Sequence, residues 1–224
     1  MNRFVGTSDC HDIRGTAVVI DVLRAFTVAP LAISRGAREI VLVESLEAAL
    51  HLKSSTPNSL AFKDGPPQDG FDLFNSPGHL LNLNVEDRTI YQKTTAGTRA
   101  ALAAKQCVPL LCSSFVCASA TASYLRELGQ SVTYVISGED GQAIEDMAAA
   151  QFIDALLTDP NTDPSPFIEA AGASNAANEL RKGLELGYLG VDKKDISICL
   201  DVDRFDFCLV AVPGPNGMVL RPAR

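Results

Sequence analysis

Short runs of β-branched and aliphatic residues alternate along this chain with longer stretches whose apolar positions recur at helical spacing. Residues 17–21 (AVVID) form a continuous apolar run ending on an acid, which predicts a buried strand followed by a helix to about Ser34. Residues 40–43 predict a second strand, and Ser45 stands where an N-cap is expected, ahead of a helix to about Lys53. Further strands are predicted at 60–62, 89–93, 108–111 and 132–136, with helices at 98–104, 116–128 and 144–157. A Gly/Pro-rich loop covers 63–77, and 159–166, with three prolines, reads as a surface linker. A helix at 174–186 follows, then short apolar runs at 196–200, 207–212 and 218–220 that read as strands.

Strand–helix alternation with uninterrupted apolar strands predicts an α/β fold. Its sheet is mostly parallel with helices on both faces, a three-layer α/β/α arrangement. The 224 residues suit one domain over 1–224, with the shorter-wavelength stretch from about 160 to 224 as a candidate subdomain. Hydrophobic residues at 46% and charged ones at 21% argue against disorder. A net charge of −8 without a Lys/Arg cluster makes nucleic acid or an anionic membrane a poor partner. The stretch 107–122 is broken by Pro109 and several serines, too short and polar to span a bilayer. The N-terminal MNRFVGTSDCHD has no apolar signal region, so a cytoplasmic protein is expected. The six cysteines form no C-x-x-C and the three histidines show no metal spacing, which predicts reduced, buried thiols and no structural zinc.

Ligands of parallel α/β sheets bind beyond the carboxyl ends of the strands. After the first strand come Asp21 and Arg24; after 89–93 come Thr95, Gly97, Thr98 and Arg99. After 108–111 come Ser113 and Ser114, and after 132–136 come Ser137-Gly138, with Glu145 and Asp146 just inside the next helix. Hydroxyls, glycines and orphan N–H groups at four helix starts predict a pocket for a small anion. Taken singly, Thr98, Ser113 and Ser114 would serve as helix caps. Arg24 and Arg99 carry the guanidinium fork that suits phosphate or sulfonate. Asp21, Asp72, Glu145 and Asp146 are oxygen ligands of the kind a hard divalent cation takes, although acids also favour first helical turns. Asp21, at the end of an apolar strand, needs a partner, which Arg24 could supply. P-loop, dinucleotide and nucleophile-elbow signatures are absent from the chain.

The blocks VIDVLRAFT (19–27), GAREIVLVESLE (36–47), GFDLFNSP (70–77), KTTAGTRAAL (93–102) and SFVCASATASYL (114–125) occur in that order, followed by the Glu145-Asp146 step. On these residues the sequence resembles the 2-phosphosulfolactate phosphatase (ComB-like) family, over roughly 17–157 and more loosely over 174–213. The resemblance implies a ComB-like fold and a Mg²⁺-dependent hydrolase that converts (R)-2-phospho-3-sulfolactate to sulfolactate and phosphate, in coenzyme M biosynthesis. It implies Asp21 and Asp72 as catalytic residues, with Asp21, Asp72, Glu145 and Asp146 around the metal. It implies Arg24, Asn75, Thr95, Gly97, Thr98, Arg99, Ser113 and Ser114 as contacts to a small anionic substrate, in a protein that could form a homodimer. The chain departs from the family pattern where Phe62-Lys63-Asp64-Gly65-Pro66 replaces a Gly-Glu-Arg-Gly-Gly stretch, and at Ala96, usually Asn. Those departures leave open an alternative: a family member that binds a small phosphate, sulfonate or carboxylate anion with a shifted substrate or without turnover.

Overall fold

A computed structural model describes residues 2–224. Nine strands form one sheet: β1 (Arg3–Gly6), β2 (Thr16–Ile20), β3 (Glu39–Leu42), β4 (Ser59–Lys63), β5 (Thr89–Lys93), β6 (Leu110–Ser113), β7 (Val132–Ile136), β8 (Cys208–Gly214) and β9 (Gly217–Ala223). Their spatial order is β1-β7-β2-β6-β8-β9-β3-β5-β4. The helices that matter for the site are α1 (Ala25–Ser34), α2 (Leu46–Ser55), α3 (Pro77–Leu80), α4 (Gly97–Ala103), α5 (Ala118–Leu128) and α6 (Ile144–Thr158). After them come α7 (Ser165–Gly172), α8 (Asn175–Glu185) and α9 (Asp195–Cys199).

The mostly parallel, doubly covered sheet is as the sequence predicts. β2 shows why its strands read as unbroken apolar runs: all five of its residues are buried. Ala17 and Val19 enter one core with α1 and α4, and Val18 and Ile20 enter another with α5 and α6. A strand covered on both faces has no polar side to alternate with. Ser45 caps α2, its hydroxyl accepting the Ala48 N–H at 3.0 Å.

β1, β7, β2 and β6 run parallel to one another, as do β3, β5 and β4. Between the two sets lies the antiparallel hairpin β8–β9, which reverses their relative direction. Five inter-strand steps separate β2 from β5. At roughly 20–25° of twist per step they accumulate roughly 100–125°. That turns the carboxyl ends of the two sets toward a common place, where Gly97, after β5, hydrogen-bonds to Asp21, after β2.

The run at 196–200 is not a strand: Asp195–Cys199 is the short helix α9. One turn is too short for periodicity to distinguish the two states. The segment 159–166 is shorter as a linker than predicted, since α7 begins at Ser165. β1, an edge strand with two exposed residues, carries no apolar run to reveal it. No helix among the described residues is long and apolar enough to cross a membrane.

Candidate active site

Two buried carboxylates hold the turn between β2 and α1 from opposite sides. Asp21 Oδ1 accepts the Ala25 N–H and its Oδ2 the Gly97 N–H, both at 2.9 Å. Asp146 Oδ1 accepts the Val22 N–H at 2.8 Å. Its Oδ2 accepts the Gly138 N–H at 3.0 Å and the Ser137 hydroxyl at 3.2 Å. The glycines are matters of space: a β-carbon at Gly97 would lie 2.5 Å from Asp21 Oδ2, and one at Gly138 would lie 3.3 Å from Asp146 Oδ2. Glu145, beside Asp146 in the first turn of α6, is buried as well. The helix dipole favours an acid at that position. Asp146, however, is turned onto the Val22 and Gly138 amides.

Among the described residues, no Lys, Arg or His forms an ion pair with Asp21, Glu145 or Asp146. Burial therefore acts on the charged forms with hydrogen bonds, and no side-chain cation, to oppose it. It pushes the Asp21 carboxyl up to about 6, with Asp64 and Glu145 adding repulsion against the two backbone hydrogen bonds. Asp146 is held well above the usual carboxylate range by burial, then by Asp21 and Glu145. Glu145 is raised by burial, against hydrogen bonds from its own backbone N–H and then from Ser174. Three acids thus share one water-poor region and repel one another. Among the described residues no group of three or more Asp, Glu, His or Cys side chains is arranged to hold a metal ion alone.

Asp64 belongs to this region although its position reads in sequence only as a departure. Its Oδ2 accepts the Thr95 N–H at 2.7 Å and also the Thr95 hydroxyl, so it fixes the turn between β5 and α4. The signal was its place just after β4, the same rule that finds Asp21 after β2. Lys63, the last residue of β4, donates to the Pro66 carbonyl at 2.6 Å. Burial lowers its ammonium's pKa, against the neighbouring Asp64 carboxylate and with a smaller contribution from Lys93.

The remaining predicted residues divide. Arg24 turns away from Asp21: its Nη1 meets Asp195 Oδ2 at 2.5 Å and the Gly190 carbonyl at 2.8 Å. Asp195 also accepts the Ser76 hydroxyl and the Gly78 N–H, so it ties α9, the turn before α3 and the β2–α1 turn together. Asn75, at φ 55°, accepts from the Gln92 amide at 2.9 Å, and Gln92 donates in turn to the Ala25 carbonyl. Ser114 donates to the Phe26 carbonyl, Ser113 pairs with Thr121, and Thr98 accepts from Thr94. None of these three hydroxyls caps a helix. Asp72 lies apart, held by Lys53 at 2.8 Å and accepting the Ala61 N–H. Arg99 is exposed; with Lys93, Thr94 and Thr98 it lines a cavity of about 190 Å³.

This constellation can be set beside known proteins. The chain matches the model of the family described as 2-phosphosulpholactate phosphatase over residues 5–213. It belongs to that family. A probable 2-phosphosulfolactate phosphatase of Bacillus subtilis (strain 168) is 33% identical over 198 residues, covering 86% of this chain and 85% of that protein. One from Caldanaerobacter subterraneus subsp. tengcongensis is 30% identical over 207 residues, covering 84% of each. One from Prochlorococcus marinus is 30% identical over 223 residues, covering 91% of each. Family membership makes the chain a phosphoric monoester hydrolase of this type, and it places β2, α1, the β5–α4 turn and α6 inside the shared region.

Proposed function

We propose that the chain removes phosphate from a small phosphorylated 2-hydroxy acid bearing further acidic groups, (R)-2-phospho-3-sulfolactate or a close relative, with Mg²⁺ as cofactor. The observation that carries this reading is the set of buried acids Asp21, Glu145 and Asp146, which no side-chain cation pairs. The donor set suits magnesium, which takes one or two carboxylates and completes its shell with water and substrate phosphate. Asp21 and Asp146 would hold the ion, because backbone N–H groups fix both carboxylates while leaving lone pairs free. When bound, Mg²⁺ supplies charge neutralisation at the phosphate.

The chain's own residues account for the rest. Gly97, Ala25, Val22 and Gly138 hold the two carboxylates without rearrangement during reaction. Asp64 keeps Thr95 and its neighbours in place beside Asp21. Water supplies the oxygen that bonds phosphorus as the ester oxygen leaves, and Glu145, raised by burial, is suited to hold the proton that this leaving alkoxide takes up. Lys93 and Arg99, at the edge of the cavity by Thr94 and Thr98, supply positive charge for the carboxylate and sulfonate that are not transferred. In a chain of net charge −8 this local pair is needed to offset the general repulsion of an anionic substrate.

The test is inorganic phosphate release from (R)-2-phospho-3-sulfolactate and from 2-phospholactate, each with Mg²⁺ and with EDTA. Release that requires Mg²⁺ and favours the sulfonate compound is expected. Equal release in EDTA would remove the metal from the reading. Binding without release by the folded protein would favour the non-turnover alternative.

A further inference from the structure

Gln92, on β5, is fully buried, yet its side-chain oxygen has no hydrogen-bond partner. Among the described residues only one other enclosed side-chain nitrogen or oxygen is left so, the Tyr134 hydroxyl. Ile90, two residues back on the same strand, and Leu42 and Phe62, its register partners on β3 and β4, are all apolar core residues. A methionine or leucine would fill such a place without an orphaned acceptor, which costs stability. An amide kept there at that cost calls for a role other than packing.

The donor side of that amide is fully used. Gln92 Nε2 donates to the Ala25 carbonyl at 3.3 Å and to Asn75 Oδ1 at 2.9 Å. The Ala25 carbonyl can only accept, so it fixes which end of the Gln92 amide faces it. The same nitrogen meets Asn75, which has to present its oxygen. Asn75 Nδ2 is thereby turned the other way. It has no partner among the described residues and is not one of the enclosed atoms, so it opens onto space that a ligand or water can reach. Asn75 is only 3% exposed, and its φ of 55° is one that asparagine tolerates, so its backbone and its amide are both held. The place adjoins the candidate reaction centre: the N–H of Ala25, whose carbonyl Gln92 holds, donates to Asp21 Oδ1.

We propose that Gln92 is a positioning residue for substrate binding: it holds the Asn75 amide with its N–H groups turned outward, as donors to an oxygen of the anionic substrate. The inference rests on the phosphatase reading above and adds to it the residue that sets the polarity of Asn75. With that amide reversed, an oxygen lone pair would face the anion instead.

Steady-state kinetics and melting curves of Gln92→Met, Asn75→Ala and the double variant test this. Gln92→Met is expected to melt close to the wild type or above it, since the orphaned acceptor is gone. Its KM for (R)-2-phospho-3-sulfolactate should rise about tenfold with kcat within about threefold, as the loss of one hydrogen bond to a charged group would give. Asn75→Ala should raise KM by as much or more. The double variant should go no further than Asn75→Ala alone, because Gln92 acts only through Asn75. A Gln92→Met variant with the wild-type KM overturns the proposal, whatever its stability, and so do effects that multiply in the double variant. Should Gln92→Met fail to fold, Gln92→Leu takes its place with the same expectations. Should the folded wild type release no phosphate, the reading of the reaction fails, and calorimetry with inorganic phosphate and Mg²⁺ decides the inference. Gln92→Met is then expected to bind phosphate about tenfold more weakly than the wild type. Equal binding by the two proteins, or none by either, overturns the proposal.

Discussion

The backbone N–H of Gly97 donates to Asp21 Oδ2 over 2.9 Å, and a β-carbon at Gly97 would stand 2.5 Å from that same oxygen. The close approach is possible only because the residue has no side chain, and it links the carboxyl ends of two strands that lie far apart in the sheet. Gly97→Ala should leave the fold intact, since alanine is the better helix former. It must displace the Asp21 carboxylate, and a shift of that order costs about 10²-fold in turnover. Steady-state kinetics with a melting curve checks both halves. Wild-type kcat in a folded Gly97→Ala variant would remove Asp21 from the reaction.

Asp64 acts electrostatically on Asp21, whereas Asp72 is paired with Lys53. Asp72 forms a partly exposed ion pair with Lys53. Asp72→Asn should therefore keep its activity within about twofold and lose no more than about 1 kcal/mol of stability. Asp64 fixes Thr95 and adds to the repulsion on Asp21. Removing its charge in Asp64→Asn should lower the Asp21 pKa and move the acidic limb of the pH–rate profile to lower pH. Asp64→Ala should also release the Thr95 turn and reduce kcat/KM about tenfold or more. The reverse ranking of the two aspartates would contradict the assignment.

Much of this architecture is legible in the chain because burial on both faces leaves strands such as β2 and β7 without exposed positions, and their residues are mostly apolar. Ser45 punctuates the start of α2 by a local rule. The β8–β9 hairpin is legible as two strands but not as the divider between two parallel sets, since strand order depends on contacts between distant segments. The same limit applies to the site. Asp21, Asp146 and Gly97 are legible because each lies just past the carboxyl end of a strand or in the helix after it. Arg24 reads as an anion ligand or as the partner of Asp21; nothing local announces Asp195, which lies 171 positions away. Ser113 and Ser114 read as caps or ligands, and their hydroxyl partners, Thr121 and the Phe26 carbonyl, are likewise set by packing.

Arg24 and Asp195 make a pair with 8% and 0% side-chain exposure. Breaking a buried pair from one side leaves an uncompensated charge, which costs about 3–5 kcal/mol. Asp195→Ala should therefore lower stability by that order, and Arg24→Ala similarly. The double variant should lose less than the sum, because neither charge is then stranded. Urea unfolding of the four proteins gives the coupling. Strict additivity would mean that the pair does not hold the turn before α1. A loss of activity in Arg24→Ala without loss of stability would instead make Arg24 a substrate ligand.

The raised carboxyls give the metal-free protein an unusual pH dependence. The folded state holds a proton on Asp21 with a pKa of about 6, above the ordinary value of 3.8. Between those values the folded form binds more protons than the unfolded one, so the stability this group contributes is complete below 3.8 and is lost as pH rises through about 6. Exposed acids with lowered pKa, such as Asp140 and Asp163, act in the opposite sense at lower pH, so the comparison must be made against a variant. Glu145→Gln removes one of the repelling charges and keeps an oxygen for the Ser174 hydrogen bond. Its melting temperature should exceed that of the wild type by an amount that grows from pH 5 to pH 7.5, at roughly 2–4 °C for each kcal/mol of relieved repulsion. Millimolar Mg²⁺ should raise the wild-type melting temperature above pH 6 and raise that of Glu145→Gln less, because fewer buried charges then await a cation. Melting curves that coincide across this pH range, with and without Mg²⁺, would show that the three acids do not repel one another in the folded protein.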